Sequence, residues 1–144
     1  MNYDKIDGYL VDIFNNVVII EEASLKNSKF NDVSLKEMHT IDVIGTHPDT
    51  TPSAVAKELM LTLGTVTTSL NKLEKKGYII RSRSSVDRRV VHLSLSKKGR
   101  LVYRLHRLFH KSMVMRITEG FNDEELKIMS KGLENLHAFL EELK

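Results

Sequence analysis

A mainly α fold, about six helices carrying one two-stranded β wing, is predicted from three features of the sequence. Apolar residues recur at intervals of three and four along most of the chain, which gathers them on single faces of successive helices. That period gives way to alternation past Gly77, where Tyr78-Ile-Ile-Arg-Ser-Arg83 and Arg89-Val-Val-His-Leu-Ser-Leu95 flank the polar loop 84–88. Two short helical segments joined by Leu61-Thr62 precede this hairpin, an arrangement that makes a helix-turn-helix.

Each element has a local reason. The first amphipathic helix is expected from about Ile6 to Lys26, with Ile6, Leu10, Ile13, Phe14 and Val17 near one face. Phe30 to Asp32 break the pattern, and a second helix runs from about Ser34 to Gly45, where glycine makes a natural stop. His47-Pro-Asp-Thr-Thr-Pro52 forms a turn, because proline at the first position of the next helix forfeits no hydrogen bond. That helix, Pro52 to Met60, turns Val55, Ala56 and Leu59 inward. The next, Leu63 to Lys76, carries Leu63, Val66, Leu70 and Leu73 on its core face and ends at Gly77. Ser96 caps a long helix from Lys97 to about Thr118, with Leu101, Leu105, Leu108, Phe109 and Met113 on its apolar side. Beyond Gly120, Asn122-Asp-Glu-Glu125 forms a capping box for a last helix striped by Leu126, Met129, Leu133, Leu136 and Leu140.

An isolated hairpin is marginal in water, so the wing must lean on the helices before it, giving a winged helix-turn-helix. The apolar stripes on the terminal helices need a partner to cover them, which predicts an obligate homodimer through the N- and C-terminal helices. The expected division is therefore 1–34 and 97–144 as a helical dimerisation region, with 35–96 as the winged helix-turn-helix.

Composition narrows the class. The 144 residues are 41% apolar and 28% charged, without cysteine, so disulfides, thiolate catalysis and cysteine-ligated metal are excluded. No run of about 18 uncharged apolar residues could span a bilayer. Asp4, Asp7 and Asp12 interrupt the place where a secretory signal would lie, so the expected location is cytoplasmic. The net charge is only +3, yet from Leu59 to Lys111 thirteen basic residues face two acidic ones, Glu74 and Asp87. The remaining segments carry nine basic and seventeen acidic residues. A basic middle between acidic ends is the electrostatic footprint of a polyanion-binding region.

The chemistry of the Leu63–Lys76 helix agrees. Opposite its apolar stripe stand Thr65, Thr67, Thr68, Ser69, Asn71 and Lys72, short polar groups able to meet phosphate oxygens or base edges, with no carboxylate between Glu58 and Glu74. Such a face alone could be ordinary solvated surface, but the wing beside it brings Arg81, Arg83, Asp87, Arg88 and Arg89. Asp87 can orient the Arg89 guanidinium through a charge-assisted bond, while Arg88, Arg81, Arg83 and Lys72 suit phosphates. The expected partner is double-stranded DNA.

The order of elements, Asp87-Arg-Arg89 at the wing and Leu95-Ser-Lys-Lys-Gly99 after it resemble the MarR family of transcription regulators over the whole chain. Serine stands where that family has threonine. Within the family, Lys36-Glu-Met-His-Thr-Ile-Asp-Val-Ile-Gly45, Leu61-Thr-Leu-Gly-Thr-Val-Thr-Thr-Ser-Leu-Asn71 and Asp87-Arg-Arg-Val-Val-His-Leu93 resemble the FabT type, the repressors of fatty-acid synthesis. The resemblance implies a dimeric repressor that binds a palindromic operator, with Arg89 at the family's wing position for the minor groove. Its implied corepressor is a long acyl chain on acyl carrier protein. For that chain the expected apolar pocket comprises Ile13, Phe14, Val17, Ile41, Ile44, Phe109 and Met113, residue types that equally make plain core. Lys97, Arg100, Arg104 and Arg107 offer a cationic surface to an acidic carrier.

Two rivals stand beside this reading. Zinc-sensing MarR proteins use histidines in comparable regions, and His106 and His110, four apart on one helix face, could bind zinc with His39 and Glu21 or Glu22. The basic neighbours Arg104, Arg107 and Lys111 oppose a cation there, so no metal or other cofactor is expected. An enzyme is disfavoured, because no glycine-rich phosphate loop, placed nucleophile or paired carboxylates in an apolar setting occur.

Overall fold

The computed structural model describes residues 2–144. Eight elements follow one another: α1 (Tyr3–Lys26), α2 (Leu35–Thr46), α3 (Pro52–Leu59), α4 (Leu63–Lys75), β1 (Ile79–Arg83), β2 (Val91–Leu95), α5 (Lys97–Ile117) and α6 (Asp123–Glu142). Side-chain caps set most of the boundaries. Asn2 accepts from the Lys5 amide at 3.2 Å and starts α1 three residues earlier than the apolar pattern suggests. Ser34 and Glu37 close a capping box on α2, Thr51 caps α3 ahead of Pro52, and Asn122 with Glu125 boxes α6.

Two expectations need correction. Gly45 does not stop α2, which continues to Thr46; a Cβ at Gly45 would lie 2.5 Å from the Tyr103 ring, so glycine is there to admit a close neighbour. The second strand begins at Val91 rather than Arg89, because Ser84 and Val90 pair at 2.9 Å and a tight turn links Val90 N–H to Asp87 O at 3.0 Å. Arg88 and Arg89 therefore ride on the turn.

The described residues form two compact units, one ending at Tyr103 and the other Arg104–Lys144, with the boundary inside α5. The first keeps α1 together with the winged module. Its core gathers Ile41 and Ile44 of α2, Val55 of α3, Val66, Leu70 and Leu73 of α4, Leu93 and Leu95 of β2, and Tyr78. The two strands are antiparallel, Ile79 opposite Leu95 and Arg83 opposite Val91. Leu93 N–H also donates to Thr50 O at 2.8 Å, which pins the wing to the segment before α3. On α1, Ile6, Tyr9, Ile13 and Phe14 remain exposed.

In the second unit α6 buries no residue fully, and Leu105, Leu108, Leu133 and Leu140 are exposed while Leu126, Met129 and Leu136 are half-buried. Among the described residues no helix is long and apolar enough to cross a membrane.

The end of α4 is held by a polar cluster that joins it to α2. Lys76 Nζ donates to both carboxylate oxygens of Glu37, at 3.1 and 3.0 Å, and to Asp32 O. Tyr78, wholly enclosed, donates its hydroxyl to Asp32 Oδ1, meets Phe30 edge-on at 6.3 Å and lies under Lys98 Nζ at 4.3 Å. Burial first, and then Asp32, pushes the Tyr78 hydroxyl well above its ordinary pKa. The same hydrogen bond, followed by nearby Lys98 and Lys76, holds Asp32 below 3.8 despite some desolvation.

A group whose pKa is depressed on folding stabilises the fold above its unfolded value, and that stability drains away as pH falls through the folded value. Tyr78→Phe is therefore expected to lower stability near neutrality by about 1 kcal/mol, the net worth of one hydrogen bond. Urea unfolding of both proteins should show the difference shrinking as pH falls below 3.8. A difference that grows on acidification would contradict the assigned partner.

Candidate nucleic-acid interface

Thr62 starts α4 by accepting from the Thr65 amide at 3.2 Å, immediately after Met60, whose left-handed backbone (φ 53°) makes the turn. Leu61 N–H returns to Ala56 O at 2.9 Å, so the turn closes against the small buried side chain of α3. The core takes Val66, Leu70 and Leu73 and leaves Thr65, Thr67, Thr68, Asn71 and Lys72 exposed, with Ser69 half-buried. Leu63 departs from expectation. It lies in the first turn, beyond the reach of the core, and is 51% exposed.

The wing and α4 are cross-braced. Arg81, whose side chain is only 25% exposed, donates Nη2 to Asn71 Oδ1 and places Nε 3.5 Å from Glu74 Oε2. The guanidinium of Arg81, a residue expected at a phosphate, thus also fixes the wing strand to the helix. Asn71 keeps its amide N–H groups to offer. Arg83, exposed, donates Nη1 to Arg88 O at 3.0 Å, which steadies the tip.

Asp87 and Arg89 form the expected pair. Arg89 Nε and Nη2 donate to Oδ1 and Oδ2 of Asp87, each at 3.2 Å, and its backbone N–H adds a bond at 3.0 Å. These bonds hold the Asp87 carboxyl below its ordinary pKa, so it stays ionised at neutral pH. The Arg89 side chain is nevertheless 91% exposed, a guanidinium oriented at its base and open to solvent at its edge. Such a group can enter a narrow, electronegative groove.

The other expected groupings are placed differently. Ile41 and Ile44 are enclosed in the core, Ile13 and Phe14 are half-exposed on α1, and Val17 is half-buried. In Arg104–Lys144, Phe109 and Met113 are half-buried. A cavity of about 590 Å³ between the last turns of α1 and the start of α2 is lined by none of these, but by residues such as Ile19, Ala23, Leu25, Val33 and Leu35. His106 and His110 bring their Nε2 atoms to 3.0 Å, while His39 Nε2 stands 3.8 Å from Glu21. Lys76, Asp32 and Glu37 form a cluster that no sequence motif marks, its only signal being the charge-rich end of α4 and start of α2.

A family model described as the MarR family matches residues 33–91. The chain is 64% identical to Streptococcus pneumoniae FabT, in a crystal structure with DNA, at a TM-score of 0.90, covering 99% of this chain and 100% of that one. It is 30% identical to the regulator PchR of Bacillus subtilis over 111 residues, 75% of this chain and 66% of PchR. To the helix-turn-helix regulator YwhA of the same organism it is 34% identical over 107 residues, 69% of this chain and 73% of YwhA.

Titration of duplex DNA into Arg89→Ala should give markedly weaker binding and a salt dependence flatter by about one unit, the mark of one lost cationic contact. Unchanged affinity across salt concentrations would remove the wing tip from the interface.

Proposed function

The chain belongs to the MarR family of transcription regulators, and from that premise we propose that it is a sequence-specific, DNA-binding repressor of fatty-acid-synthesis genes, with acyl chains on acyl carrier protein as corepressor. One observation carries the reading: identity of 64% over nearly the full chain to a FabT crystallised on DNA, supported by the oriented Arg89 and the carboxylate-free polar face of α4 in one braced unit.

The protein acts in the cytoplasm as a homodimer. The exposed apolar residues of α1, and separately those of α6, are the surfaces a second copy would cover. In such a dimer the two α4 helices must reach successive major grooves, about 34 Å apart. A ligand that favours this spacing tightens DNA binding, and one that favours another spacing loosens it. Ile13 and Phe14 offer apolar surface to an acyl chain, whereas Ile41 and Ile44 can do so only if the core opens. The second reading, a metal-sensing regulator, draws on the facing imidazoles of His106 and His110.

One set of isotherms separates them: operator DNA titrated with protein alone, with long-chain acyl carrier protein, and with zinc. The proposed reading expects tighter binding with the acyl carrier protein and no response to zinc. Response to zinc alone favours metal sensing, and response to neither removes both effectors.

A further inference from the structure

The polar face of α4 is less polar than its sequence suggests. Thr62 and Thr65 spend a hydroxyl on each other at 2.8 Å, and Thr68 donates its hydroxyl back to Gly64 O at 3.1 Å within its own helix. Beside these partly engaged hydroxyls, the exposed Thr65 and Thr68 side chains present methyl groups. Next to them Leu63 leaves half its surface in solvent, one helical turn before the exposed Thr67. A large apolar side chain on a surface otherwise chosen for DNA makes no phosphate contact. Its chemistry matches one feature of the major groove, the C5-methyl of thymine.

We propose that Leu63 is a specificity-determining residue, packing with the Thr67 methyl against a thymine C5-methyl in each half of the operator. The inference rests on the reading of the chain as a DNA-binding regulator. It differs from hydrogen-bonded base reading because it distinguishes thymine from uracil, which pair identically and differ only by that methyl. Gly64, beside Leu63, adds no side chain to this open surface.

The test uses full-length protein and a duplex selected by it from a random pool. Each thymine of that duplex is replaced in turn by deoxyuridine, and affinity is measured for wild type, Leu63→Ala, Leu63→Met and Arg89→Ala. At one thymine per half-site the replacement should weaken wild type about fourfold, the effect of one buried methyl. Leu63→Ala should bind the thymine and uracil duplexes equally at that position, while Leu63→Met and Arg89→Ala should keep the wild-type ratio. Tight binding with no position at which wild type and Leu63→Ala differ in that ratio overturns the proposal. Failure to select any duplex overturns the DNA-binding reading itself, and the proposal with it.

Discussion

The close approach of Gly99 to the Tyr78 carbonyl is the contact on which the rest of the DNA-reading unit depends. A Cβ at residue 99 would stand 2.0 Å from that oxygen, a distance no side chain tolerates. Ser96 sits between the two segments: its N–H donates to Tyr78 O, its hydroxyl to Gly77 O, and it receives the Gly99 amide at 3.1 Å. One junction thus fixes where α4 ends, where β1 begins, and where β2 hands the chain to α5. With Tyr78 anchored in the core and Lys76 tied to α2, the helix and the wing leave this point with settled directions.

That rigidity has a functional use. DNA reads the relative placement of two surfaces, and contacts misplaced by a fraction of an ångström lose their complementarity. Arg81 provides the second brace, ten residues from Asn71 in sequence and in direct contact with it. Because the wing cannot pivot freely on α4, a change in the separation of two such units in a dimer is transmitted to the whole reading surface at once. Regulation by spacing then requires no change inside the unit.

Much of the fold was legible because its signals are local. Pro52 at the first helical position, Ser96 as a cap, the Asn122 and Glu125 box and Gly77 with its positive φ of 83° each act within a few residues. The Asp87 and Arg89 pair was readable for the same reason. What was not legible depends on distant partners: Gly45 is required by Tyr103 and Gly99 by Tyr78, and Lys76 finds Glu37 thirty-nine positions away. Leu63 fits the apolar stripe by arithmetic, yet the core ends one turn short of it. Periodicity reports which residues share a helix face and is silent on how far along that face the packing extends.

This junction, rather than wing or helix propensity, sets the reading unit, and equilibrium urea unfolding of Gly99→Ala probes that dependence. Overpacking against a backbone carbonyl that cannot move aside should cost about 2 kcal/mol or more, within the range for forced core insertions. A variant as stable as wild type, or more stable as alanine would be in an unconstrained helix, would show that the junction yields and does not govern the unit.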